Sequence, residues 1–235
     1  MKFSLFLNKK GLPIHIYHYN ELEFAPERVL NHMMQHMLNN DADIDYIFPL
    51  DADEFIYCPS REKLNTFLTL IPQGRVGMYT WRGYLPHSTE YDPDFISHFT
   101  DQRKEEILTP KVIIPRAIAE TCTLTIGSHS VRDKEGKEVQ SIVFIGSNNQ
   151  QFYYWFINRF NAEFIETNDL WLGHYPIRST IQQIKKVLEK SITMVMEKKG
   201  YRDSAWENQL RDLLAHKLDI SLDELRLIAY NYRAS

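Results

Sequence analysis

Tyr46-Ile47-Phe48-Pro49-Leu50-Asp51-Ala52-Asp53-Glu54-Phe55 carries a short apolar run into three carboxylates within four residues, after which the chain turns apolar again. A short apolar run bounded by turn signals reads as a buried strand. Open α/β sheets place their ligands beyond the carboxyl ends of such strands. Three acids in one turn repel one another and lose hydration, so the pattern predicts a compensating positive charge. A divalent cation suits them, because Mg²⁺ and Mn²⁺ prefer carboxylate oxygens and are commonly shared with substrate phosphates. On an extended segment Asp51 and Asp53 share one face and reach a common ion, while Glu54 points elsewhere, toward an orienting role.

Upstream of this stretch, Gly11 to Tyr17 reads as a turn into a strand, and Pro26-Glu27 opens a helix carrying Val29, Leu30, Met33, Met34 and Met37 at helical spacing. Strand, helix, strand predicts a right-handed crossover in a parallel sheet. Downstream, residues 61–70 read as a helix stopped by Pro72 and Gly74, and Val76 to Tyr84, Lys111 to Ile114, Leu124 to Ile126 and Ile142 to Ile145 read as strands. The segment His87 to Thr109 is polar, acidic and aperiodic. It reads as a long loop of the kind reserved for a lid or a binding role.

Helices close the chain. Ser179-Thr180-Ile181-Gln182 resembles a capping box, followed by Ile181, Ile184, Leu188, Ile192 and Val195 on one face until Gly200. Trp206, Leu210, Leu213 and Leu214 mark a second helix, and Ser221-Leu222-Asp223-Glu224 caps a last one holding Leu225 and Ile228.

Bulk composition sets the class. The 235 residues are 43% hydrophobic and 25% charged, with a net charge of −4, as in an ordinary soluble protein and without the basic footprint of a nucleic-acid binder. Thirteen Tyr, thirteen Phe and four Trp supply a large core. Cys58 and Cys122 form no disulfide framework and read as reduced thiols. No run approaches the roughly 18 apolar residues that span a bilayer, and Met1 to Leu7 is too short for a secretory signal. The expectation is a cytoplasmic protein with room for a peripheral membrane contact. His32 and His36, four apart on the first helix, read as surface or structural residues alongside His15 and His18. Met33, Met34 and Met37 read as core filler, and Trp81-Arg82 as core plus surface.

Asp51-Ala52-Asp53-Glu54-Phe55, after an apolar strand and a helix, resembles the DxDEF signature of family 2-like glycosyltransferases with the GT-A fold. Three companions fit the same family. Lys111 to Ile114 resembles its strand after the long loop. Gly127-Ser128-His129 resembles its glycine-x-histidine element. His174-Tyr175-Pro176-Ile177-Arg178-Ser179, followed by Lys185 and Lys186, resembles the element that opens its basic helix. Order and rough spacing agree from about Ile14 to Gly200.

The resemblance implies transfer of a sugar from a nucleotide-diphosphate donor to a carbohydrate or lipid-linked acceptor. It implies a GT-A-like α/β domain over residues 1–178, with a mixed, mainly parallel sheet flanked by helices, and a helical extension over 179–235 packed on it. Asp51 and Asp53 would hold Mn²⁺ or Mg²⁺ on the donor pyrophosphate, with His129 and His174 as further metal ligands or phosphate contacts. Lys111, Arg178 and Ser179 would bind the donor, Arg178 adding a bidentate contact at a helix start. Glu54 would join Asp101 among the catalytic residues, in an orienting role. A base near the acceptor hydroxyl falls to the loop acids Asp92, Asp94, Asp101, Glu105 or Glu106, with Asp101 preferred for its place before the Lys111 strand.

One departure stands out. The residues before Glu54 supply roughly one helix and one strand, and the Asn20-Glu21 pair follows what resembles a later strand of the family, so part of its N-terminal nucleotide-binding unit is expected to be missing. Met1 to Lys10 or another subunit would then have to complete it, or the chain is a fragment with impaired donor binding. Two alternatives follow. One is a non-catalytic remnant that binds sugar or a partner subunit. The other, ranked lower, is a metal-dependent phosphohydrolase with Asp51 as nucleophile and Asp53 as acid, whose motif usually continues into a small β-branched residue where Glu54-Phe55 stands here.

Overall fold

Alternation along three strands decides the layering. Val76 and Met78, Val112 and Ile114, and Val143 and Ile145 fall on one face of the sheet, while Tyr79 and Trp81, Ile113, and Ile142 and Phe144 fall on the other; both sets are buried. Two apolar faces demand a layer on each side. The computed structural model, which describes residues 26–103, 107–146, 153–196, 211, 215 and 220–231, supplies them.

A seven-stranded mixed sheet forms the centre. Strand β1 (Tyr46–Ile47) lies antiparallel to β4 (Ile107–Pro115), which lies antiparallel to β3 (Val76–Gly83). The other edge of β3 is shared. Its first half pairs in parallel with β7 (Ser141–Ile145), which pairs in parallel with β8 (Glu163–Glu166). Its second half pairs in parallel with β9 (Trp171–His174), which carries β2 (Glu54–Tyr57) antiparallel on its far side. Three ladders are thus parallel and three antiparallel. A small hairpin of β5 (Thr123–Leu124) and β6 (Val131–Arg132) stands apart.

Helix α1 (Pro26–Asn40) covers the first face with Met34 and Leu38, four residues apart. The Asn31 side chain clamps it to β5, donating to Leu124 C=O at 2.9 Å and accepting the Leu124 N–H at 2.8 Å. Arg116, opening the short α4 (Arg116–Ala119), donates to the Leu38 and Asp41 carbonyls at the C-terminal end of α1, where a cation suits both the unpaired carbonyls and the helix dipole. Helix α2 (Arg61–Thr69), capped by Ser60, covers the second face through Phe67.

Several expectations change. The strand predicted to end at Asp51 stops at Ile47, because Pro49 has no N–H to offer a ladder. It lies antiparallel to β4, and the predicted crossover rests on the strand expected around His15 to Tyr17, which lies outside the described residues. The predicted loop from His87 to Thr109 contains α3 (Phe95–His98), and β4 already begins at Ile107. Phe95 and Phe99, four apart, bury against Tyr84 and Tyr175 and pull that segment onto the body. Ile126 belongs to a 3-10 turn (Ile126–Ser128) rather than to a strand. Helix α5 (Tyr153–Phe160) and strands β8 and β9 were not anticipated.

Helix α6 (Thr180–Met196) forms where the capping residues place it, but it buries Gln183, Val187 and Ser191 and leaves Ile181 and Leu188 exposed. Its orientation is set by a polar contact of Lys186, described below, rather than by the apolar stripe. Met34 is core as expected, while Met37 is exposed. The last helix, α7 (Leu222–Asn231), has the reciprocal box: Glu224 accepts the Ser221 N–H at 2.9 Å, and Ser221 Oγ accepts the Glu224 N–H at 3.3 Å. Leu225 and Ala229 bury against Ile177, and Leu85 packs beside them. The helix expected around Trp206 to Leu214 lies, Arg211 apart, outside the described residues, as does the stop at Gly200. Among the described residues no helix is long and apolar enough to cross a membrane.

Candidate functional site

Register brings the acidic turn to the carboxyl end of the sheet. Strand β9 sits between β2 and β3, with Glu54 opposite His174 on one side and Gly83 opposite His174 on the other. The pairing continues through the Tyr175 N–H to the Asp53 carbonyl at 2.9 Å and the Tyr84 N–H to the His174 carbonyl at 2.9 Å. Asp53, Glu54 and His174 therefore meet where the parallel strands β3 and β9 end.

Asp51 to Glu54 is a tight turn, not the extended segment expected. The Glu54 N–H donates to the Asp51 carbonyl at 3.1 Å, and Glu54 Oε2 accepts the Asp51 N–H at 2.9 Å. The turn sends the two aspartates to different partners. Asp51 is 60% exposed and accepts from Lys111 Nζ at 2.9 Å. Lys111, only 1% exposed, also lies 3.2 Å from Glu54 Oε2. It emerges on the same face as Ile113, opposite Tyr79 in the register. Expected to bind a donor, Lys111 is instead buried as counter-ion to two carboxylates.

Glu54 is the most perturbed of the three acids. Burial pushes its carboxyl up to about 7, against the opposing pull of Lys111. Its Oε1 and the Tyr79 hydroxyl are buried with no hydrogen-bond partner among the described residues. That suits a carboxyl that carries a proton for a substantial part of the time near pH 7. Glu54 thus fixes the shape of the turn from beneath.

Asp53 turns the other way. Its Oδ2 accepts from Lys186 Nζ at 2.8 Å, and the same ammonium donates to the Pro176 carbonyl at 2.6 Å. Burial opposes ionisation of Asp53, but Lys186, His174 and Arg178 together outweigh it, and the carboxyl stays below its ordinary value. Asp53 Oδ1 faces His174 Nε2 at 3.8 Å. His174 is buried, its ring 4.3 Å from that of Trp81. Burial holds its pKa down to about 4, so the imidazole is neutral near pH 7.

Arg178 and Ser179 open α6. Ser179 is fully buried and its Oγ accepts the Gln182 N–H at 3.3 Å, so this hydroxyl caps the helix, where donor binding had been expected. Gln182 Oε1 accepts the Arg178 N–H at 2.6 Å, one residue earlier than in a reciprocal box. The Arg178 guanidinium lies 5.0 Å above the Phe95 ring.

His129 approaches from the opposite side. Its Nδ1–H donates to the Pro110 carbonyl at 2.7 Å, which leaves Nε2 as the acceptor nitrogen, and its ring meets Trp81 edge-on at 5.8 Å. Burial lowers its pKa too, and Asp51 and Lys111 both act on it. The glycine of the Gly-x-His element has a physical reason. Gly127 has φ 74°, and a Cβ there would lie 2.5 Å from His129 Nε2.

Asp51, Asp53, Glu54, Lys111, His129, His174 and Arg178 thus share one neighbourhood, joined by Lys186, which the sequence offered only as part of a basic helix face. Asp101 does not join it. Its carboxylate is exposed and paired with Arg226 of α7 at 2.6 Å. Glu105 and Glu106 lie outside the described residues.

The predicted four-ligand metal set is not assembled. The one group of three among the described residues whose ligand atoms all lie within 4.8 Å of one another is His87, Asp92 and His98. The positive charge demanded by the acids comes from Lys111 and Lys186. What fits a cation is narrower: the Asp53 carboxylate and the neutral His174 nitrogen, whose 3.8 Å separation lets both reach one ion at the ~2.0–2.2 Å bonds such ligands make. No protein-family model, curated protein or solved structure matches the chain.

Proposed function

We propose that the chain is a GT-A-like glycosyltransferase that takes a nucleotide-diphosphate sugar and transfers the sugar to an acceptor hydroxyl. The observation that carries this is the Asp53–His174 pair, set where parallel strands end and beside the N-terminal end of α6 with Lys186 and Arg178. An acid, a neutral imidazole and two cations at a helix N-terminus suit a metal diphosphate better than a neutral ligand.

Asp53 and His174, with Asp51 at the exposed lip, would hold a Mn²⁺ or Mg²⁺ ion. When bound, such an ion supplies charge neutralisation for the diphosphate leaving group. Arg178 offers a forked cation to phosphate oxygens. Lys186 holds the Asp53 carboxylate in place, and its ammonium lies beside any anion admitted there. Glu54 is a positioning residue, acting through the Asp51 backbone and Lys111. The base that accepts the acceptor proton is left unassigned, because Asp101 is held by Arg226.

A thermal-unfolding panel of UDP-, GDP- and CMP-linked sugars, with and without Mn²⁺, tests the proposal. One nucleotide class raises the melting temperature only with Mn²⁺, and Asp53→Ala abolishes the effect. A folded protein indifferent to the whole panel would contradict it.

A second function has its own support. Lys111 and Lys186 already neutralise the acidic turn without an ion, as in a fold that keeps the motif for stability and binds a sugar or a partner subunit without catalysis. A flat nucleotide panel together with binding to a simple carbohydrate would favour it.

A further inference from the structure

The excursion between β3 and β4 carries a second cluster that the proposed transfer does not use. Its base is closed by the Leu85 N–H to the Asp101 carbonyl at 2.9 Å and the Arg103 N–H to the Gly83 carbonyl at 2.8 Å. Just beyond that base two imidazoles converge on one oxygen. His98 Nδ1 lies 2.6 Å and His87 Nε2 3.2 Å from Asp92 Oδ2. Asp92 is held for this task, since its other oxygen accepts the Asp94 N–H at 2.8 Å and its side chain is only 16% exposed. His87 is wedged edge-on against buried Phe99 at 5.1 Å, and His98 stands at the end of α3.

We propose that His87, Asp92 and His98 bind a divalent transition-metal ion of the Zn²⁺ class, which ties residues 87–98 of the excursion into one closed unit. Two imidazole nitrogens and one carboxylate oxygen are a donor set that Zn²⁺ accepts, leaving a fourth position to water. Bonds of ~2.0–2.2 Å at tetrahedral angles put ligand atoms about 3.3 Å apart. The His87–Asp92 separation already matches. His98 needs to withdraw by roughly 0.7 Å as the ion replaces the proton it donates to Asp92. The Asp94 N–H on the second oxygen is the outer contact that orients a ligating carboxylate.

The clip has a consequence for the neighbouring site. Phe95 and Phe99 of the same excursion pack on Tyr175, the Thr180 N–H donates to the Thr89 carbonyl at 2.9 Å, and Arg178 lies over Phe95. Fixing residues 87–98 therefore fixes the surface against which Arg178 rests. The ordinary competitor is a surface aspartate accepting from two histidines with no ion.

Titration of the tag-free, metal-stripped protein with Zn²⁺ separates the two, with Co²⁺ absorption reporting geometry. Beyond any ion taken at Asp53 and His174, which Asp53→Ala removes, one ion binds per chain at this cluster, Co²⁺ gives the intense visible bands of a tetrahedral site, and His98→Ala and Asp92→Asn each weaken that binding by about 10²-fold. Asp53→Ala leaves this binding intact, which keeps the clip distinct from the donor site. His98 is exposed and Asn matches Asp92 in shape, so the variants fold, and circular dichroism verifies it. Absence of stoichiometric binding, or binding lost in Asp53→Ala but kept in His98→Ala, overturns the proposal.

Discussion

Lys111 is the ammonium on which the acidic turn depends. Fully enclosed, it touches Asp51 and Glu54 and has the Trp81 ring 5.8 Å away. Removing it leaves a largely exposed Asp51 and a Glu54 that can take up a proton, so the cost is below that of a fully charged buried pair, about 1–3 kcal/mol. Lys111→Met therefore lowers unfolding free energy by that order in urea titration, and a loss below about 1 kcal/mol would show that the turn does not rely on it. Glu54 gives a pH signature. Its folded pKa, about 7, lies above its ordinary 4.5, so between these values the folded state holds a proton that the unfolded state has lost, and stability falls as pH rises. His174 works in the opposite sense, because its folded pKa of about 4 lies below its ordinary 6.5, and stability rises with pH across that window. Comparing Glu54→Gln with the native protein cancels His174. The variant gains relative stability on the order of 3 kcal/mol between pH 4.5 and pH 8. Parallel pH profiles would count against the buried neutral carboxyl.

Strand β9 and the turn around Gly127 are the elements that build the site. Each β9 residue pairs on both sides or nearly so, and His174 reaches Asp53 only because β2 and β3 both register on it. The turn holds His129 by keeping Gly127 free of a side chain. Gly127→Ala strains a backbone at φ 74° and drives a Cβ against the imidazole. It costs on the order of 1–3 kcal/mol and shifts the His129 ring signals in NMR, while unchanged signals would show that the glycine is incidental. Strands β3, β4 and β7 were legible because apolar residues run along both their faces. β8 and β9 were not, since Glu163-Phe164-Ile165-Glu166 and Trp171-Leu172-Gly173-His174 are four residues each, polar-ended or glycine-broken, and carry no period. The face of α6 was misread for a different reason. Its orientation follows the Lys186–Asp53 bond, which joins residues 133 apart in sequence, and no local pattern records such a contact.

At the scale of the molecule, two cores back one mixed sheet, and the chemistry collects at the end where β3 and β9 stop. The last helix contributes there as well. Leu225 packs on Ile177, and Arg226 holds both the Pro86 carbonyl and Asp101. The tail is therefore part of the wall behind Arg178. Membership of the acidic turn, His129, His174 and Arg178 in one neighbourhood was legible from motif order. Their division into an Asp51–Lys111 half and an Asp53–His174 half was not, because it follows from a turn that closes where an extended segment was expected. The central claim is that the Asp53–His174 half holds a cation together with a nucleoside diphosphate. Pulsed electron paramagnetic resonance of Mn²⁺ tests it most directly, recorded with and without the nucleoside diphosphate selected by the thermal panel. The account predicts a nucleotide-dependent Mn²⁺ signal with coupling to one imidazole nitrogen, and loss of that coupling in His174→Gln. A nucleotide-dependent signal with no nitrogen coupling, or one unchanged in His174→Gln, would contradict it.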